Sequence, residues 1–426
     1  MGCFTRAPPS PGRAVRLSSA RGRTTTGISR HEARDCGAVP YRRRHPTSPS
    51  LSAPAGRRGD YLPAQRGQLL TPLTFLVPGR LDQLTGGYLF DRQVVTGLRQ
   101  AGRDVTVVEL AGSYPDADAE ARGACAAAFA ALPDGAAAVI DGLALPGAET
   151  CLAAAARRLR VIGFIHHPLA LETGLSAADE ARFAALEARL FPLLGGVICP
   201  SAETARAVAR YGLAPERIRI VPPGTAKPQA EPQAQSRPPR AEGKLQLLAV
   251  ASVTPRKGHL VLIEALARLA DLDWRLLCVG SLERDRAAAA ALREAIARCR
   301  LDERVTLAGE WPPERLGEAY CRADCFVLPS FHEGYGMAFA EALAYGIPIV
   351  ATTGGALSET VPASAGVLVP PGDAAALAAA LRRIMSDGEL RRRLAAGAAA
   401  AGAALPDWAD TVRSWAAAFD ALAASP

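Results

Sequence analysis

Twice along this chain of 426 residues, short apolar runs alternate with helix-patterned segments, and a stretch lacking large apolar residues separates the two series. The first series holds "LTFLVPG" (residues 73–79), the helix "GGYLFDRQVVTGLRQAG" and the strands "DVTVVEL", "AAAVIDG" and "LRVIGFIHH". A helix from Ser176 to about Leu194 follows, then "GGVICP", the helix "AETARAVARYG" with Ser201 as its N-cap, and "RIRIVPPG". The second series reads "LQLLAVASV", "HLVLIEALARLA", "DWRLLCVG", "RVTLAG", "CFVLPS", "IPIVAT" and "GVLVP". Alternation of this kind predicts parallel sheets covered by helices on both faces. The expected fold class is therefore α/β, with two doubly wound, Rossmann-like domains facing across a cleft. Open parallel sheets hold ligands at the carboxyl ends of their strands, so that cleft is the expected site.

Composition divides the chain further. Residues 1–67 carry 13 Arg against three acids (Glu32, Asp35 and Asp60) and show neither helix nor strand periodicity. Such a segment does not fold alone. It reads as a disordered extension or as a start placed too early, although no Met lies between Met1 and Met337; an Arg-rich, acid-poor transit peptide is the other reading. Expected domains follow at 68–224 and 245–405, joined by the Pro/Gln-rich linker 225–244, with a closing helix at 406–426. Beyond the head, 36 basic residues face 39 acidic ones, so no nucleic-acid partner is expected from bulk charge. No apolar run reaches membrane-span length, and "EARFAALEARLFPLLGG" is amphipathic but charge-mixed, so peripheral membrane association is not indicated. Nine cysteines form no CxxC pair, which argues against zinc or a disulfide framework and for a reducing cytoplasm.

The motifs gather at strand ends. In "SFHEGYGMAFAEALAYGIPIV" (residues 330–350) Glu333 stands in a glycine-flanked turn and Glu341 inside an apolar helix. A buried carboxylate is costly unless paired, so either the fold or a ligand must supply a partner for Glu341. The helix from about Gly336 would turn its free N–H groups towards the cleft, where they suit a phosphate. In "SVTPRKG" Arg256 and Lys257 stand where a strand ends and a helix begins. The chain has 46 Arg and only three Lys, so a lysine here draws notice over two solvated surface cations. "TGGYLF" places Gly86 and Gly87 after the first strand, for close backbone approach or a tight turn. "GFIHHPL" ends a strand with His166 and His167, at least one of them a functional candidate. Asp116 and Asp118 have the DxD form of metal-binding carboxylates, yet capping of an Ala-rich helix is the better account. No metal site is expected.

Together, Arg256-Lys257-Gly258 and the Glu333/Glu341 pair with seven residues between, supported by "VTLAGE", "CFVLPSFHEGYG", "IPIVATTGGALSETV" and Gly86-Gly87, resemble the retaining glycosyltransferases of family 4. The resemblance covers about 73–424. It implies the GT-B fold, with the first domain binding the acceptor, the second a UDP-, GDP- or ADP-sugar, and a closing helix crossing back over the first domain. It implies that Arg256 and Lys257 neutralise the leaving diphosphate in place of a metal, and that no cofactor is needed. Glu341 would hold the ribose, Glu333 the donor sugar, and the amides of Gly336, Met337 and Ala338 the sugar and phosphate. His166 would lie by the reacting sugar, with His167 as the fallback. Gly86 and Gly87 would border the donor. A sugar-nucleotide epimerase of the same fold and a catalytically silent nucleotide-sugar binder are the alternatives.

Overall fold

Strands β1 (Leu73–Pro78) and β3 (Ala137–Asp141) are almost wholly apolar because helices cover both of their faces. A computed structural model describes residues 71–228 and 244–424. The head and most of the expected linker lie outside the described residues. Around β1 and β3 stand β2 (Val105–Leu110), β4 (Arg160–Phe164), β5 (Gly196–Cys199) and β6 (Ile218–Ile220), in the order β2-β1-β3-β4-β5-β6. The second sheet has β7 (Leu245–Val250), β8 (Trp274–Val279), β9 (Val305–Leu307), β10 (Cys325–Leu328), β11 (Ile349–Thr352) and β12 (Gly366–Val369), in the order β12-β11-β10-β7-β8-β9. All the strand pairings are parallel. This is the GT-B arrangement of two Rossmann-like sheets.

In each sheet the chain reverses its direction of travel once. The reversal lies between β1 and β3 in the first sheet and between β7 and β10 in the second. A crevice opens at such a switch point, because the two flanking connections leave on opposite faces. The motifs singled out above follow β1, β4, β7 and β10 in sequence.

Two expected elements differ in extent. The strand "LRVIGFIHH" ends at Phe164, so His166 and His167 stand in the loop beyond it, ahead of Pro168. The helix expected from Ser176 to about Leu194 runs Ala177–Leu190, capped by the Ser176 hydroxyl, and gives way to a 3-10 turn at Phe191–Leu193. Pro192 has no N–H to continue the α-helical ladder.

The helix Trp408–Ala424 packs on the first domain. Trp415 and Phe419 are both 0 % exposed, and they meet Phe75 and Phe164 in one core. Arg103, 3 % exposed, pairs with Asp420 at 2.7 Å. Truncating an aromatic of this kind costs about 3–5 kcal/mol, so the carboxyl-terminal helix is part of the first domain's core. Among the described residues no helix is long and apolar enough to cross a membrane.

Candidate active site across the cleft

After β7, a 3-10 turn at Pro255–Lys257 delivers two cations to the crevice, and Gly258 then takes a left-handed conformation to start the helix His259–Ala267. After β10, the loop brings Glu333 to meet them. Lys257 Nζ lies 2.6 Å from Glu333 Oε1, and Ser330 Oγ donates to the same oxygen at 2.7 Å. Arg256 Nη1 donates to the His332 carbonyl at 2.8 Å and stands 3.5 Å from Glu333 Oε2. Burial pushes the Glu333 carboxyl up, but Lys257 and Arg256 overcome it and hold it down at about 2. Burial lowers Lys257, and the Arg256 charge adds to this; the Glu333 carboxylate opposes both. The two cations and the acid thus neutralise one another in a buried cluster.

The turn then changes direction at Gly336, whose φ of +94° only glycine adopts readily. The helix Met337–Ala344 begins there, with its first N–H groups lacking intrahelical acceptors. Glu341 is a partly exposed acid on a helix whose other residues beyond Ala338 are buried, and the fold supplies it with a partner: the hydroxyl of Tyr320, 2 % exposed, donates to Glu341 Oε2 at 2.7 Å. Burial still raises the Glu341 carboxyl; the tyrosine opposes that rise.

The first domain closes against this turn. A Cβ at Gly334 would sit 2.0 Å from the His166 carbonyl oxygen, so only glycine permits the approach. The Gly334 carbonyl accepts from Ser201 Oγ at 2.6 Å and from Thr204 Oγ1 at 3.2 Å. Met337 packs on the first-domain core, and its sulfur is the nearest atom, at 3.5 Å, to a Cβ built on Gly86. Glu172, in the loop beyond the two histidines, reaches over to Arg256 Nε at 2.8 Å, while its other oxygen meets His167 Nε2 at 3.2 Å. Burial raises the Glu172 carboxyl, but His167 and Arg256 carry it down to about 2.

His166 lies deeper. Its Nε2 is 3.0 Å from Asp91 Oδ1 and 3.4 Å from Asp141 Oδ2, between carboxylates that are 0 % and 3 % exposed. Asp91 comes from the helix Gly86–Gln100 and Asp141 from the end of β3. Gly87 faces the His166 ring: a Cβ there would meet ring carbon Cδ2 at 3.1 Å. Burial alone would lower the imidazole, but the Asp91 charge and hydrogen bonds to both acids hold it well above its ordinary value.

Arg256, Lys257 and Glu333 are in contact, Gly336, Met337 and Ala338 lie at the start of the adjoining helix, and Glu341 lies further along it against Tyr320; from the first domain Gly86 lies by Met337 and the His166 carbonyl by Gly334, while Gly87 borders the His166 ring. Asp118 caps the helix Ala119–Ala130 by accepting from Ala121 N at 2.8 Å, and Asp116 pairs with Arg182 at 2.6 Å. The partners that sequence reasoning missed are Asp91, Asp141, Glu172, Tyr320 and Ser330. Asp91 had a readable signal, because it shares the apolar helix stripe with Val94, Val95 and Leu98.

Two family models match the chain. One, described as glycosyl transferases group 1, covers residues 231–400, and the other, glycosyltransferase family 4, covers residues 141–226. The D-inositol 3-phosphate glycosyltransferase of Nocardia farcinica is 34% identical over 230 residues, which is 50% of this chain and 50% of that protein. The like-named protein of Acidothermus cellulolyticus is 32% identical over 210 residues, 46% of this chain and 47% of that one. The chain thus spans about half the length of the curated relatives it matches. Among solved structures, sucrose-phosphate synthase from Thermosynechococcus elongatus superposes with a TM-score of 0.68 at 23% identity, over 83% of this chain and 99% of that one. The Anabaena protein HepE in complex with UDP-glucose gives 0.63 at 19% identity, over 82% and 99%. These likenesses fix the fold.

Proposed function

From the premise that the chain is a family 4-like GT-B glycosyltransferase, we propose that it moves a sugar from a nucleotide-sugar to an acceptor hydroxyl, with retention of anomeric configuration and without a metal. The observation that carries this reading is the Arg256–Lys257–Glu333 cluster at the switch point of the second sheet, with Glu172 reaching Arg256 from the first domain. In this reading the bond between the anomeric carbon and the diphosphate breaks, and its electron pair stays on the diphosphate. Arg256 and Lys257 stabilise that developing charge, the duty a metal performs in DxD enzymes. The acceptor oxygen bonds to the anomeric carbon on the same face, and its proton passes to the departing diphosphate. Glu341 holds the ribose and Glu333 the donor sugar, while the amides of Gly336, Met337 and Ala338 contact sugar and phosphate. Gly86 and Gly87 border the donor from the first domain.

UDP-sugars are the first donors to try, because the solved HepE complexes contain UDP and UDP-glucose. An inositol phosphate is the first acceptor, from the names of the curated relatives. The test is thermal unfolding with UDP-, GDP- and ADP-sugars, followed by turnover in EDTA and assignment of the product anomer by proton coupling. Ligand at a hundred times its dissociation constant adds about 2.7 kcal/mol of stability. Inversion of the anomer, or loss of turnover in EDTA with rescue by manganese, would overturn the mechanism. Release of free nucleotide without any acceptor would turn the reading towards an epimerase.

A further inference from the structure

We propose that Asp91 and Asp141 are a positioning pair that fixes His166 in the cleft as an imidazolium, a permanent cationic hydrogen-bond donor and not a base. The role of that donor in turnover rests on the transferase reading; the charge state of the ring does not.

Three separate elements build the cluster: the helix after β1, the end of β3 and the loop after β4. Two carboxylates buried this close repel one another, so a proton or a cation must lie between them. The ring nitrogen Nε2 does lie there, at 3.0 and 3.4 Å from the two acids. Leu143 N donates to Asp141 Oδ1 at 2.6 Å, which commits that carboxylate to the charged form, whereas Asp91 Oδ2 is buried without a hydrogen-bond partner. Around the ring stand Phe90 and Phe164, with centroids 5.8 and 4.7 Å away, and the Thr204 hydroxyl lies 3.5 Å from the His166 carbonyl. Tyr88, the neighbouring titratable group on the same helix as Asp91, spends its hydroxyl on the Pro78 carbonyl at 2.5 Å. Burial and the Asp141 charge push the Asp91 carboxyl up and the ring opposes that rise, while Asp141, against its burial, is held down by the ring and the Leu143 N–H. A neutral imidazole would leave the Asp141 carboxylate uncompensated in an apolar wall and drive Asp91 up further, which costs more than burying the paired cation. An imidazolium has no free lone pair, so it cannot take the proton of an acceptor hydroxyl. It can donate to oxygen and contribute positive charge.

The same three side chains offer ligand atoms within 4.8 Å of one another, so a metal ion is the competing occupant. Ring-carbon and ring-nitrogen NMR of the full chain with labelled histidine separates the cases, His166→Gln serving to assign the signal among six histidines. The wild-type ring should keep its imidazolium shifts from pH 6 to 8.5 and be indifferent to added zinc or manganese. In Asp91→Asn the ring should titrate inside that range, and turnover should gain a new alkaline limb, falling about tenfold or more across it. A neutral wild-type ring at pH 7.5, metal-dependent shifts, or an Asp91→Asn ring and rate profile like those of wild type would each overturn the proposal. Should Asp91→Asn fail to fold, the wild-type titration alone decides. Absence of turnover with every donor would count against the transferase reading and leave the ring titration to stand or fall by itself.

Discussion

Each sheet presents a charged cluster at its switch point, and the two are near opposites. The second domain offers two cations on one acid, Arg256 and Lys257 on Glu333; the first offers two acids on one histidine, Asp91 and Asp141 on His166. In both, the minority charge is what permits burial of the other two. The difference lies in what remains to be given to a ligand. In the proposed function a diphosphate displaces Glu333 as the partner of Lys257, so the second cluster exchanges an internal anion for an external one. The first has no spare cation, so it suits holding a group in place. On that proposal, binding and positioning are divided between the domains.

The largest expected effect breaks the second cluster. Lys257→Ala leaves Glu333 buried beside Arg256 alone, and loss of one partner from a buried pair costs about 3–5 kcal/mol of stability. Removing a charge that stabilises the leaving group should also lower single-turnover rates at saturating donor by roughly 100- to 1,000-fold. Lys257→Arg keeps the charge but not the compact ammonium, and should recover only part of either loss. Unchanged rates in both variants would make the cluster a fold element and nothing more.

Next in size is the division between the two acids of the motif. Glu341→Ala removes hydrogen bonds to a charged group, worth about 1.5–3 kcal/mol, so nucleoside diphosphate should bind roughly 10- to 100-fold more weakly. Glu333→Ala removes an internal competitor for Lys257 and should not weaken free nucleoside diphosphate at all. Calorimetric titration of both variants with UDP, GDP and ADP checks this. Equal losses would mean that the two carboxylates do not bracket the ligand.

Glu172 reaches the second cluster from the first domain, where it also holds His167, and its effect should be smaller and of opposite sign. Its carboxylate sits on Arg256 Nε, where a phosphate oxygen would go. Glu172→Gln should therefore tighten nucleoside diphosphate by a few-fold, about 1 kcal/mol for a partly exposed pair. A structural lesion would weaken binding, so only a gain supports the exchange.

How much of this was legible in the sequence follows from the same contrast. The second cluster is written in two contiguous stretches, "PRKG" and "SFHEGYG", so a strand end, a glycine and a charge can be read together. Asp91, Asp141 and His166 meet only through the order β1-β3-β4, which no local pattern announces. The question asked of Glu341, an acid on an apolar helix, applies word for word to Asp91 and would have marked it. Glu172 lies in a loop whose course is set by Glu187, a buried acid accepting from the backbone of Leu169 and Ala170 at 2.5 and 3.3 Å. That long-range anchor has no sequence signature. The strands and the returning carboxyl-terminal helix were readable because burial on both faces leaves few polar choices.

The smallest expected effect is a tilt of stability with pH, opposite in the two domains. In the first domain burial raises Glu187 to about 7, against the backbone N–H groups that favour its charge. Its unfolded form ionises near 4.5 while the native form keeps its proton, so the stability it lends is complete below that value and declines as pH rises through 7. In the second domain, burial lowers His259 to about 4, and the Lys257 charge adds to this; both ring nitrogens are buried without hydrogen-bond partners. Unfolding lets that ring take up a proton below about 6.5, so stability there is complete above that value and declines as pH falls towards 4. Glu333, held at about 2, adds a further loss in the same direction, from about 4.5 downward. Between pH 6 and 7.5 each of the first two groups should shift its own domain by about 1 kcal/mol, the first domain weakening as the second firms. Amide exchange followed by mass spectrometry resolves the domains separately. Protection in β3–β5, divided by that in β7–β10 and corrected for intrinsic exchange, should fall as pH rises. Glu187→Gln should reduce the first-domain slope and leave the part that His166 adds, whose native ring keeps a proton that the unfolded ring loses above about 6.5, while His259→Leu should flatten the second. A common slope in both domains would show that they unfold as one cooperative unit, and the two clusters would then share a single stability.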